Sequence, residues 1–125
     1  MVQFPRLKRI YAPPASEDGQ RILVDRIWPR GISREKAALT AWPRLVAPSD
    51  ELRKWFGHDP MRWDVFRRRY VAELDANTAC VSELRSLLAK EPSTLLFGAR
   101  DADHNNAVVL ADYLRALGPD RDSLG

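Results

Sequence analysis

Two apolar runs, Arg21-Ile-Leu-Val-Asp-Arg-Ile27 and Thr94-Leu-Leu-Phe97, each stop on a block of charged and turn-forming residues. Trp28-Pro29-Arg30-Gly31 follows the first, and Gly98-Ala99-Arg100-Asp101 the second. Short apolar runs bounded by turn signals fit strands buried on both faces, as in parallel sheets. Pro and Gly then break strand pairing. A helical pattern follows each block, and strand–helix alternation of this kind builds an α/β domain with right-handed crossovers. Charged groups at the C-terminal ends of such strands look into a shared crevice. The two strands are therefore expected as parallel neighbours that bring Asp25, Arg26 and Arg30 toward Arg100, Asp101 and His104.

The remaining segments fill out this plan. Residues 6–11 predict a first strand, and the Pro- and Gly-bearing stretch 12–19 a loop. Ser33 is placed to cap a short helix over 34–39. Residues 40–47 predict a further strand, held to an edge or a bulge by Pro43. Ser49 caps the next helix, which stops at Gly57, and Asp59-Pro60 restarts helix. Trp63, Phe66, Tyr70 and Leu74 recur at three- and four-residue steps and define its buried face, which leaves Arg68 and Arg69 to solvent or a partner. A helix over 77–90 turns Cys80, Leu84, Leu87 and Leu88 inward, and a last one over 104–117 ends at Gly118-Pro119. The expectation is one α/β domain spanning residues 1–125, with about four strands, all or mostly parallel, flanked by helices and ending in a frayed tail over 118–125.

Composition narrows the class. With 125 residues and 45% hydrophobic content, the chain has enough material for one real core. No apolar stretch is long enough to span a bilayer, the start lacks a signal-peptide pattern, and Cys80 is alone. These features together predict a cytoplasmic protein. The formal charge of +3 is mild for a dedicated duplex binder. Its distribution is uneven: Arg53, Lys54, Arg62, Arg67, Arg68 and Arg69 cluster mid-chain, while Asp101, Asp103, Asp112, Asp120 and Asp122 weight the C-terminal end.

Three stretches carry a family resemblance. Val24-Asp-Arg-Ile-Trp-Pro-Arg-Gly31, Leu52-Arg-Lys-Trp-Phe-Gly-His-Asp-Pro60 with Trp63, and Leu95-Leu-Phe-Gly-Ala-Arg-Asp101 with His104-Asn105 resemble the short, YeaO-like branch of the DUF488 family. The resemblance runs from Leu7 to Leu117. The family is a domain of unknown function, so the resemblance bears on fold and site location rather than on an activity. Relatives usually read His-Asn-His where this chain has His104-Asn105-Asn106. Longer members of the wider family place a Cys-His pair in this region, which this chain lacks at Asn105 and Asn106.

Several chemistries fit these residues. Arginine forks bind phosphate or carboxylate at two points, so Arg26, Arg30, Arg53, Lys54 and Arg100, with Trp28 and Asn105 beside them, suggest a crevice for a small anion or nucleotide fragment. Unpaired backbone N–H groups near 103–106 would add to it. The bland alternative pairs these arginines with Asp25, Asp59 and Asp101 to lock the loops. An acid–base enzyme would use His58 or His104, oriented by Asp59, Asp101 or Asp103, with Asp25 or Asp101 holding a base or donor. A nucleic-acid module would use Arg62 and Arg67–Arg69 with Trp55 and Trp63. A protein without a catalytic site, serving as a scaffold or interaction partner, is a further alternative. No metal-site spacing, activated nucleophile or glycine-rich phosphate loop is present, so no metal, ATP or NAD cofactor is expected. Trp28, Trp42, Trp55 and Trp63 all lie in the first half, where ordinary packing accounts for at least two of them.

Overall fold

Strand β1 (Arg6–Arg9), strand β2 (Gln20–Leu23) and strand β3 (Ser93–Phe97) form a sheet in the order β1-β3-β2. This is a computed structural model, and it describes residues 4–118. Both pairings are parallel: Leu7 lies opposite Leu95 on one side of β3, and Ile22 opposite Leu95 on the other. The last-formed strand in sequence is thus the central one, and the expected pairing of the 21–27 and 94–97 runs is present. Strand β2 ends at Leu23, with one further bond from the Val24 amide to the Leu96 carbonyl, so Asp25, Arg26 and Ile27 belong to the loop that leaves the sheet. The expected tail beyond Gly118 lies outside the described residues.

The fourth strand expected over 40–47 is a correction. Only one bridge, between Ile22 and Ala41, extends the sheet on that side. The Leu23 amide bonds the Ala41 carbonyl, and pairing ends there. Pro43 has no N–H to continue a ladder, and residues Arg44–Val46 turn instead into a single 3-10 turn. The sheet therefore has three strands among the described residues.

Alternation along the strands divides the core in two, because successive side chains point to opposite faces. Ile22, Val24, Leu95 and Phe97 join the main core. Leu23, Leu96 and Ile10 face the other way and meet Ala37, Trp28, Ile32, Leu39 and Trp42. The thin second layer includes helix α1 (Arg34–Ala37), whose first turn is capped by Ser33 through the Lys36 amide. Trp28 and Trp42 meet edge to face at 5.3 Å, with the Arg34 guanidinium over Trp28.

The main layer comprises α2 (Asp50–Phe56), α3 (Trp63–Ala76), α4 (Thr78–Leu88) and α5 (Asn106–Leu117). Ser49 caps α2 at the Leu52 amide and is itself held by Glu73 of α3 at 2.6 Å. Tyr70, fully buried, donates to the Val46 carbonyl at 2.6 Å and ties α3 to the turn before α2. Phe56 stacks on Phe66 at 4.2 Å between the same helices. The expected buried stripe of α3 holds at Phe66, Tyr70 and Leu74, with Trp63 partly covered. In α4 the inward residues are Val81 and Leu84; Cys80, expected inside, is only half-buried because the face is rotated by one residue.

Candidate functional site

The chain leaves β2 through Val24 and turns at Asp25. That carboxylate is mostly buried, and its Oδ2 accepts the Gly98 amide at 2.8 Å, which ties the loop after β2 to the loop after β3. A Cβ at position 98 would lie 3.1 Å from the same oxygen, so glycine lets the two loops approach. Burial raises the Asp25 pKa above the usual carboxylate range, against the weaker opposing pull of the Gly98 amide, the neighbouring Asn106 amide and His58. Asn106, in the first turn of α5, donates to the Val24 carbonyl at 2.9 Å and so closes the same junction.

Around this junction lies a crevice of about 640 Å³. Its walls bring together Asp25, Arg26, Trp28, Arg30, Lys54, His58, Arg100 and Asn105 from the sequence reading. Tyr11, Arg53, Gly98 and Asn106 line it too, and no sequence signal had singled out Tyr11. Arg53 was expected among the anion-binding cations near the element ends. Asn106 was visible only as a departure from the family pattern.

The lining residues differ in what they are free to do. Arg26 donates to the Pro48 carbonyl (2.9 Å) and the Ala47 carbonyl (3.2 Å), which commits much of its fork to backbone. Trp28 donates to the Ile32 carbonyl at 2.8 Å and belongs largely to the second core. Asn105 is buried and caps α5: it accepts from the Val108 amide and donates to the Asp101 carbonyl. Arg53 reaches Asp50 at 3.4 Å, while its Nε is buried without a partner among the described residues. Arg30, Lys54 and Arg100 are exposed, and none has an ion-pair partner among the described residues. His58 follows Gly57, the α2 C-cap; both have positive φ, and the imidazole is exposed at the crevice edge.

Asp101 and His104 are not part of this wall. Asp101 Oδ1 accepts the amides of Asp103 and His104, at 2.9 and 3.0 Å, and its Oδ2 meets His104 Nδ1 at 3.0 Å. The Asp103 amide, ahead of a smaller burial effect, and His104 hold the Asp101 carboxyl below its ordinary range. The His104 ring lies edge-on to Trp63 at 5.1 Å. Two expectations are corrected here. The last helix begins at Asn106 rather than 104, because Asn105 is extended and Asp101 already holds the preceding amides. The amides of Asp103 and His104 are therefore not free to meet an anion.

None of the expected locking pairs forms among the described residues, since Asp59 has Arg62 beside it rather than one of the crevice cations. Arg62 approaches Asp59 at 3.7 Å, but no arginine pairs with Asp25 or Asp101 among the described residues. Arg67, Arg68 and Arg69 are exposed on α3 as expected. The Trp55 ring beneath them is already occupied, with the guanidiniums of Arg62 and Arg69 each 5.1 Å from its centre. Among the described residues no three His, Cys, Asp or Glu side chains converge as a metal site. No described helix is long and apolar enough to cross a membrane.

A small α/β protein with a parallel three-stranded sheet and a basic crevice at the strand C-terminal ends is the class these features define. More narrowly, the chain belongs to the DUF488 family, in its YeaO-like group: the family model described as "Inactive DUF488-N3 subclade" matches residues 5–123. It is 44% identical to the "Uncharacterized protein YeaO" of Escherichia coli K12 over 110 residues, covering 88% of this chain and 96% of that protein. It is 42% identical to the "Uncharacterized protein Rv3073c" of Mycobacterium tuberculosis H37Rv over 109 residues, covering 87% of this chain and 92% of that protein. No solved structure matches the chain.

Proposed function

We propose that the crevice binds a small anion or nucleotide fragment and does so without catalysing its conversion. The observation that carries this reading is the charge of the wall: Arg26, Arg30, Arg53, Lys54 and Arg100 against Asp25, the single carboxylate among its described residues. Three of these cations, Arg30, Lys54 and Arg100, keep their donors unspent, and a partly enclosed cleft strengthens what they offer an anion. Catalysis fits the wall less well. None of its described residues is Cys, Ser or Thr, so no thiol or aliphatic hydroxyl is there for Asp25 or His58 to activate. Asn105 and Asn106, where the resemblance places a Cys-His pair in longer members, are spent on capping α5 and closing the β2 loop. The word "inactive" in the subclade's description accords with this.

Calorimetry and thermal melting with phosphate, sulfate, pyrophosphate and nucleoside monophosphates test the reading. A ligand at a hundred times its Kd stabilises the fold by about 2.7 kcal/mol. Binding is expected to survive Arg68→Glu with Arg69→Glu and to be lost in Arg30→Ala with Arg100→Ala. A protein that shows neither heat nor a melting shift with any of these anions refutes it. The nucleic-acid reading predicts the reverse mutational pattern and a steep salt dependence. The covered faces of Trp55 argue against it, since base stacking needs an open ring.

A further inference from the structure

The anomaly of the crevice is its one carboxylate. A wall built for any anion has no use for a negative group, and an ionised carboxylate can only accept hydrogen bonds. Asp25 is nevertheless fixed in place: Oδ2 is filled by the Gly98 amide, and Gly98 leaves room for nothing larger beside it. The Asn106 amide lies alongside but is aligned on the Val24 carbonyl. Oδ1 has no donor aligned on it among the described residues and is not sealed from solvent. That leaves an unfilled acceptor on a residue that lines a cleft otherwise furnished with donors.

Resting on the anion-binding reading above, we propose that Asp25 makes the crevice selective for oxyanions that still carry a hydroxyl hydrogen. Hydrogen phosphate and the monoanion of a phosphate monoester belong to this class; sulfate does not. The cations attract the charge of either. Only a ligand with a proton can place a donor on Oδ1, and one without it sets oxygen against oxygen. Burial, which disfavours the charged form of Asp25, shows that the protein itself leaves this carboxylate undercompensated.

Inorganic phosphate and sulfate at about pH 8 are the discriminating pair, since both are doubly charged and only phosphate, with a second pKa of about 6, keeps a proton to donate. Calorimetry of the wild-type protein is expected to give phosphate an affinity about tenfold or more above sulfate, the worth of one hydrogen bond to a charged group. Asp25→Asn keeps an acceptor for the Gly98 amide and adds an NH2 donor, so the preference is expected to fall to about twofold or less. A second measurement needs no variant. Methyl phosphate at about pH 8 is doubly charged like phosphate but has lost its hydroxyl, given a second pKa of about 6. Its affinity at that pH should match that of sulfate rather than that of phosphate. Equal binding of phosphate and sulfate to the wild type, or methyl phosphate binding as tightly as phosphate at about pH 8, overturns the selectivity while leaving the anion site standing. Binding of none of the three removes the anion site itself, and the selectivity with it.

Discussion

Asp18→Ala would strip the anion from a buried cluster at the opposite end of β2 from the crevice. The Asp18 side chain is 6% exposed and accepts from Arg21 at 2.6 Å, Lys8 at 3.0 Å and the Ala15 amide at 3.0 Å. Arg21 is as deeply buried, and its remaining contacts are a bond from Nε to the Ala37 carbonyl and an NH2 with no partner among the described residues. Removing one partner of a buried pair strands the other charge, at a cost of about 3–5 kcal/mol. Lys8 adds about 1 kcal/mol at most, because it is partly exposed and still reaches the Pro13 carbonyl. In a domain of this size each kcal/mol moves Tm by about 3–5 °C, so a fall of about 10–20 °C is expected. Urea unfolding followed by tryptophan fluorescence should show a lower midpoint with unchanged slope. Asp18→Leu combined with Arg21→Met should recover most of the loss, since no charge is then stranded. The pH dependence has a definite sign. Burial alone would raise the Asp18 pKa, but the Ala15 amide, Lys8 and Arg21 outweigh it and the net value is lowered. A folded pKa below the unfolded one gives stability that is present above the unfolded value and lost as pH falls through the folded one. Wild type and Asp18→Ala should therefore converge in acid. An Asp18→Ala protein less than about 1 kcal/mol down at neutral pH would refute the stranded-charge argument.

Three further outcomes are expected. Asn105→Ala removes the α5 cap to Val108 and the bond to the Asp101 carbonyl, and chemical unfolding should register a loss of about 1–2 kcal/mol. Gly19→Ala places a Cβ 2.0 Å from the Pro92 carbonyl oxygen at a φ of 62°, and a calorimetric melt should report a loss of at least about 2 kcal/mol. Asp25→Asn should melt no lower than wild type at neutral pH: a folded pKa raised by burial contributes stability in acid that is lost as pH rises through it, and the amide removes that loss. A clearly lower melting temperature for Asp25→Asn at neutral pH would contradict the undercompensated carboxylate.

Much of the fold was legible because the signals were local. Ser33, Ser49 and Asp59 stand just before helical turns and do accept the Lys36, Leu52 and Met61 amides. Two apolar runs sufficed to anticipate a parallel pair, since a strand buried on both faces needs no alternation. Tertiary structure decided what these local signals leave open. The order β1-β3-β2 depends on which face each helix covers, and the segment 40–47 had strand composition but lacked a partner past Ala41. At the crevice, sequence placed Arg26 and Arg30 as equals. Folding spends Arg26 on carbonyls more than twenty residues away and leaves Arg30 free. His104 and Asp101 carried the right chemistry, yet a turn closed by Asp101 on two amides keeps them off the crevice wall. Residue type and spacing thus determined the elements and the end of the sheet where charge would gather. Which charges remain unpartnered there depends on contacts between segments distant in the chain, and those form only once the core brings the loops after β2 and β3 together.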